Sequence, residues 1–204
     1  METVEPTRTS KELSIINAAC TMFLKQGFKN TCMDKIAIKA GVSKQTIYSN
    51  FGSKENLFNE VITHLFKDLQ KTFKQEEQRA DPQESLTQFI VNILTPLFSK
   101  DGINLHRLVC SEGPNNEKLN KIYISRLERG LSKLSTRISY LESIGLIASE
   151  DSHQMAHNLI YSCKGLMHTK LLCGYITEVS PDEINYIARR SVDRFFEQHK
   201  PQTS

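Results

Sequence analysis

The 204-residue sequence is short of the residues that break helices, with only nine glycines and six prolines. Both are turn formers, and so few of them exclude a turn-rich all-β architecture. No segment alternates apolar and polar residues for long enough to make a strand. The five cysteines (Cys20, Cys32, Cys110, Cys163 and Cys173) are odd in number and none stands in CxxC spacing. That excludes a disulfide scaffold and suits a reducing compartment. No apolar run approaches the roughly 18 residues of a membrane span, and the opening METVEPTRTSKELS has no apolar signal-peptide core. The expectation is a soluble, cytoplasmic protein. Catalytic signatures are missing too: there is no Gly-rich phosphate loop, no HExxH, no Gly-x-Ser-x-Gly and no paired carboxylates with a partner. An enzyme is therefore not expected, and nothing implies a cofactor.

What the sequence does have is apolar residues at helical spacing, separated by caps. Leu13, Ile16, Ala19, Cys20, Phe23 and Leu24 make a first helix that stops at Gly27. Thr31-Cys32-Met33-Asp34 reads as a capping box opening a short helix with Met33, Ile36, Ala37 and Ala40 on one face. Gly41 breaks it, and Ser43 caps a second short helix from Lys44 to about Asn50. Ser53 caps a longer helix carrying Leu57, Phe58, Val61, Ile62, Leu65, Phe66, Leu69 and Phe73. Asp81-Pro82 starts the next, which Pro96 is expected to kink or end before the turn KDGIN. A short helix from Ile103 to Ser111, a break at EGPNNE and a long helix from about Glu117 to Gly145 follow. Two more helices, starting at Ser149 or Asp151 and at the cap Ser180-Pro181, run to about Cys173 and His199. The chain reads as all-α, an N-terminal bundle joined by a long helix to a larger C-terminal bundle, divided as residues 1–53 and 54–204.

Net charge is only +3, yet Lys25 to Lys54 holds six lysines against one acid, Asp34. Such a concentration is the electrostatic footprint expected on phosphate. In the same stretch, two short helices joined by Ala40-Gly41-Val42-Ser43 have helix-turn-helix spacing. Ile47 and Phe51, four apart, can both face inward. That leaves Lys44, Gln45, Thr46, Tyr48, Ser49 and Asn50 to project outward or flank the core, with Ser43 at the cap. Lysine donates to guanine, glutamine to adenine, and threonine donates or touches a thymine methyl. Tyr48 can give its hydroxyl to phosphate. The helix starts at Thr31 and at Ser53-Lys54 offer free amides, plus the Thr31 and Lys54 side chains, to phosphates. The same spacing also serves non-binding bundles, where this would be a short polar surface helix.

From Ile15 to Ile62 the sequence resembles the DNA-binding domain of the tetracycline-repressor (TetR) family. The matching parts are A-x-x-x-F-x-x-x-G-F-x-x-T, I-A-x-x-A-G-V-S and I-Y-x-x-F-x-S-K-x-x-L, about a quarter of the chain. LHRLVCSEG, residues 105–113, more loosely resembles a subgroup found beside efflux and stress genes. The resemblance implies a two-domain, all-helical homodimer that binds a palindromic operator, usually as a repressor, and is released by a small molecule in the C-terminal domain. By matched position, Thr31, Lys44, Gln45, Thr46, Tyr48 and Lys54 would touch DNA. It also implies pairing through the last two helices, about 152–173 and 181–199. Their wide apolar faces, with Leu159, Ile160, Cys163, Leu166, Met167 and Leu171 on the first, support that independently; one thick monomeric core is the alternative.

A ligand pocket is expected between the long connecting helix and the central helices, lined by Phe66, Phe98, His106, Tyr123, Tyr161, Met167 and His168, all of which also suit a plain core. His153 with His157 and His106 with Cys110 have i, i+4 spacing, but no third ligand stands near either pair, so no metal is expected. A helical protein-binding adaptor with a degenerate DNA domain is the other non-enzymatic alternative; the intact polar set from Lys44 to Asn50 speaks against it.

Overall fold

The computed structural model describes residues 8–66, 81–148 and 151–201. Within them every regular element is helical: α1 Ser10–Gln26, α2 Met33–Ala40, α3 Lys44–Phe51, α4 Lys54–Leu65, α5 Pro82–Phe98, α6 Lys100–Glu112, α7 Glu117–Ser143, α8 Ser152–Leu172 and α9 Pro181–Gln198, with a 3₁₀ turn at Gly113–Asn115. The expected all-α class is observed. The extension of α4 through Leu69 and Phe73 lies outside the described residues, as does the start at Ser149; Asp151 caps α8, accepting from the amides of His153 and Gln154.

Three local expectations are corrected. Thr31 does not form a capping box. It is buried, and its hydroxyl donates back to the carbonyls of Gly27 (2.7 Å) and Met22 (3.3 Å). α2 therefore begins after Cys32 with no side-chain cap. Pro96 does not end α5: it stands inside the helix, which runs on to Phe98. KDGIN is no turn but the start of α6: the Ser99 hydroxyl accepts from the Gly102 amide and its carbonyl from the Ile103 amide, as a helix N-cap does. One feature was not foreseen. α8 leaves helical geometry at Gly165, with φ 39° and ψ −147°, which kinks it.

The described residues fall into two compact units. The first comprises residues 8–65 with 107–123, the second residue 66 with 81–106, 124–148 and 151–201. In the first, α1 packs on α2 and α4, and α3 on α2 and α4. Ile15, Ile16, Phe23, Ile36, Ile47 and Leu57 are fully buried between them. Phe23, Phe28 and Phe58 meet with ring centroids 5.3 to 5.5 Å apart. In the second, α9 packs along α5 and on α8. Leu86, Ile90 and Leu94 of α5, Leu134, Ile138 and Leu141 of α7 and Ala188 and Val192 of α9 form its dry centre. No described helix is long and apolar enough to cross a membrane.

Candidate nucleic-acid interface and ligand cavity

α2 ends at Gly41, in the left-handed region at φ 69°. The Val42 amide donates to the Ala37 carbonyl and the Gly41 amide to Ile38, a Schellman closure that only a residue free of Cβ strain adopts cheaply. That turn aims α3. Ser43 caps it, its hydroxyl accepting from the Thr46 amide at 3.1 Å. Ile47 is fully buried, about 2 kcal/mol of hydrophobic burial, and Phe51 is partly buried beside it.

With that face held down, Lys44, Gln45, Tyr48 and Ser49 are exposed and Thr46 partly so. The Gln45 side chain is exposed and makes no hydrogen bond to the described residues. Lys44 pairs with Asp34 at 2.7 Å, an ion pair exposed on both sides. The Asp34 hydrogen bond and charge raise the Lys44 pKa, keeping the ammonium charged. Thr46 shares a hydroxyl hydrogen bond with Ser43 at 2.8 Å. Ser49 and Asn50 both donate to the Thr46 carbonyl.

Thr31 and Lys54 are placed differently. The Lys54 ammonium donates to the carbonyls of Phe28 (2.8 Å) and Thr31 (2.9 Å) and lies 4.4 Å from the centre of the Phe28 ring. With Thr31 buried as described above, either side chain would have to break these bonds before touching a phosphate.

The sequence reading missed Glu112. Its carboxylate accepts from the amides of Phe28 (2.9 Å) and Lys29 (2.7 Å) in the loop after α1. Gly27 has φ 85°, a conformation that residues with a side chain rarely adopt, and a Cβ there would displace the Glu112 carboxylate. Glu112 lies within LHRLVCSEG, the one sequence signal that pointed to this segment.

In the second unit a cavity of about 140 Å³ opens between α5, α7 and α8. Of the seven residues expected to line a pocket, Phe66 and Tyr161 do so. Phe98, His106 and His168 form a separate cluster: the His168 ring lies 5.0 Å from that of His106 and 6.2 Å from that of Phe98. Burial, then Lys164, then His106 push the His168 pKa down to about 4, so it is neutral near pH 7. His106 is lowered by burial and by Lys164. Met167 packs partly buried against the core. Tyr123 belongs to the first unit, where burial raises its pKa to about 12. The His153 and His157 rings meet edge to face with centroids 4.9 Å apart, and no group of three metal-ligating side chains occurs among the described residues.

Comparison with known proteins agrees with this geometry. The TetR-family model of bacterial regulatory proteins matches residues 15–61, and the C-terminal domain model of AefR-like transcriptional repressors matches residues 84–200. The uncharacterized HTH-type transcriptional regulator YhgD of Bacillus subtilis is 31% identical over 135 residues, 63% of this chain and 64% of its own. The HTH-type transcriptional repressor NicS of Pseudomonas putida is 33% identical over 85 residues, 39% of this chain. The chain thus spans 64% and 38% of those two relatives' lengths. A solved TetR-family transcriptional regulator from Mesorhizobium loti superposes with a TM-score of 0.80 at 25% identity, covering 95% of this chain and all of that one. With both halves matched and the helix-turn-helix in place, the chain belongs to the TetR family of bacterial transcriptional regulators.

Proposed function

We propose that the protein is a cytoplasmic repressor that binds a palindromic operator as a homodimer and lets go when a small molecule enters its C-terminal domain. Residues 1–53 would bind DNA and residues 54–204 would bind ligand and the second copy. The observation that carries this reading is α3: a helix pinned by Ile47 that presents Lys44, Gln45, Thr46 and Tyr48 outward, with Ser43 and Ser49 at its flanks. Lys44, Gln45 and Thr46 read base edges; Tyr48, Ser43 and Ser49 set register on phosphates. Thr31 and Lys54 act on DNA by shaping the loop before α2, with the amides at the helix starts facing phosphate. Leu166 (68% exposed), Tyr161 (62%) and Tyr186 (62%) leave apolar surface on α8 and α9 that a second copy would cover. Two recognition helices must then lie about 34–36 Å apart, one turn of DNA, or a multiple of it. A ligand with unequal affinity for two conformations shifts that separation and so the affinity for DNA.

A mobility-shift titration on the chain's own upstream DNA tests the reading. Sequence-specific binding that weakens steeply between 50 and 200 mM salt is expected. Tyr48→Phe should weaken binding to every sequence alike. The absence of specific binding even at low salt would end the proposal.

A further inference from the structure

The cavity in the second unit is lined by six aliphatic side chains, among them Ile93, Leu97, Leu134 and Ile160, together with the rings of Phe66 and Tyr161. Around that apolar space stand four cations, Arg126, Arg129, Lys133 and Lys164, and no aspartate or glutamate among the described lining residues. Arg126 and Arg129 each donate to a backbone carbonyl, of Phe66 and Ser125 respectively. Lys164 is the most telling. It is half-buried on α8, its ammonium 5.7 Å from the centre of the Tyr161 ring, and no carboxylate pairs with it among the described residues. Burial lowers its pKa, the mark of a cation held where its charge is poorly solvated. After burial, which is the larger cause, the same charge lowers the pKa values of His106 and His168.

An apolar interior with one desolvated cation that no described carboxylate neutralises has a complement of definite chemistry. We propose that this cavity takes a small hydrophobic carboxylate, its ring or chain among the α5, α7 and α8 aliphatics and its anionic group at Lys164. A neutral molecule of the same shape would leave Lys164 unpaired, and a hydrophilic anion would forgo the apolar walls. An apolar cavity of this size holds a ring-sized body. The inference names the ligand class of the pocket that the repressor reading requires, and it rests on that reading only for the consequence, release of DNA.

The test is calorimetric titration of the full chain at pH 7.5 with 4-phenylbutyrate and with 4-phenylbutan-1-ol, two probes of one shape that differ in charge. The carboxylate should bind at least tenfold more tightly. Lys164→Met should weaken the carboxylate at least tenfold and leave the alcohol unchanged. Gly130→Leu should abolish binding of both: Gly130 lines the cavity, and an added Cβ there meets nothing within 4 Å. The wild-type comparison needs no variant to fold. Equal affinity for the two probes, no binding of either at millimolar concentration, or a Lys164→Met variant that binds the carboxylate as before would overturn the inference. Operator release is scored separately. Carboxylate binding that leaves operator affinity unchanged upholds the ligand class and overturns release instead.

Discussion

Two polar regions of the first unit look alike in composition and do opposite things. In the loop from Gly27 to Thr31, the polar groups face inward on each other. The amides of Phe28 and Lys29 meet the Glu112 carboxylate, the carbonyls of Phe28 and Thr31 meet the Lys54 ammonium, and the Thr31 hydroxyl closes on the Gly27 carbonyl. One anion and one cation, brought from residues distant in the chain, satisfy a loop whose backbone has no regular partner. On α3 the side-chain hydrogen bonds are short-range, Ser43 with Thr46 and Ser49 and Asn50 to the Thr46 carbonyl, and the Gln45 side chain is left without a bond to the described residues. The first region is therefore expected to govern stability, and the second to govern choice of DNA.

That contrast can be broken in four ways. Lys54→Met removes two charge-assisted hydrogen bonds and should cost about 2 kcal/mol, lowering the melting temperature by about 5 °C. If Lys54 were mainly a phosphate contact, stability would stay within about 0.5 kcal/mol and the salt slope of DNA binding would fall by about one instead. Thr31→Val keeps the buried shape and deletes the hydroxyl, so about 1 to 2 kcal/mol should be lost in chemical denaturation, with the ranking of operator variants unchanged. Gln45→Ala should do the reverse. Stability should hold within about 0.5 kcal/mol, while discrimination at one base pair, read from a set of single-base operator variants, drops by about 1 kcal/mol. Unaltered sequence preference would refute its base-reading role. Smallest of all is Asp34→Asn, which frees Lys44 from an exposed ion pair. It should tighten DNA binding by about twofold at low salt, an advantage that fades as salt is raised.

Much of this was legible in sequence because it is local. Helical spacing, the Ser43, Asp81 and Ser180 caps and the glycine stops located the helices, since caps and φ-restricted turns depend on residues a few positions apart. The inward role of Ile47 followed from the same periodicity. Local pattern misled where a second partner nearby in the chain competed. Thr31 looked like a cap, but the carbonyls of Gly27 and Met22 at the end of α1 took its hydroxyl. KDGIN looked like a turn, but Ser99 made it a helix start. The pocket residues were drawn from aromatics and histidines, and only Phe66 and Tyr161 line the cavity. The others satisfy the same composition rule in other packing environments.

By itself, then, the amino-acid order determined an all-helical chain, a turn at Gly41 and a polar helix anchored by Ile47, because each depends on backbone preferences and periodicity within a few residues. Tertiary structure decided which polar groups remain available. Glu112 reaches the loop at Phe28 across 84 positions of sequence and Lys54 reaches it across 26. Lys164 shares a cavity with Ile93 and Arg126, far from it in the chain. Such pairings arise from the packing of whole helices, which brings together charges and unsatisfied backbone groups that no local pattern relates.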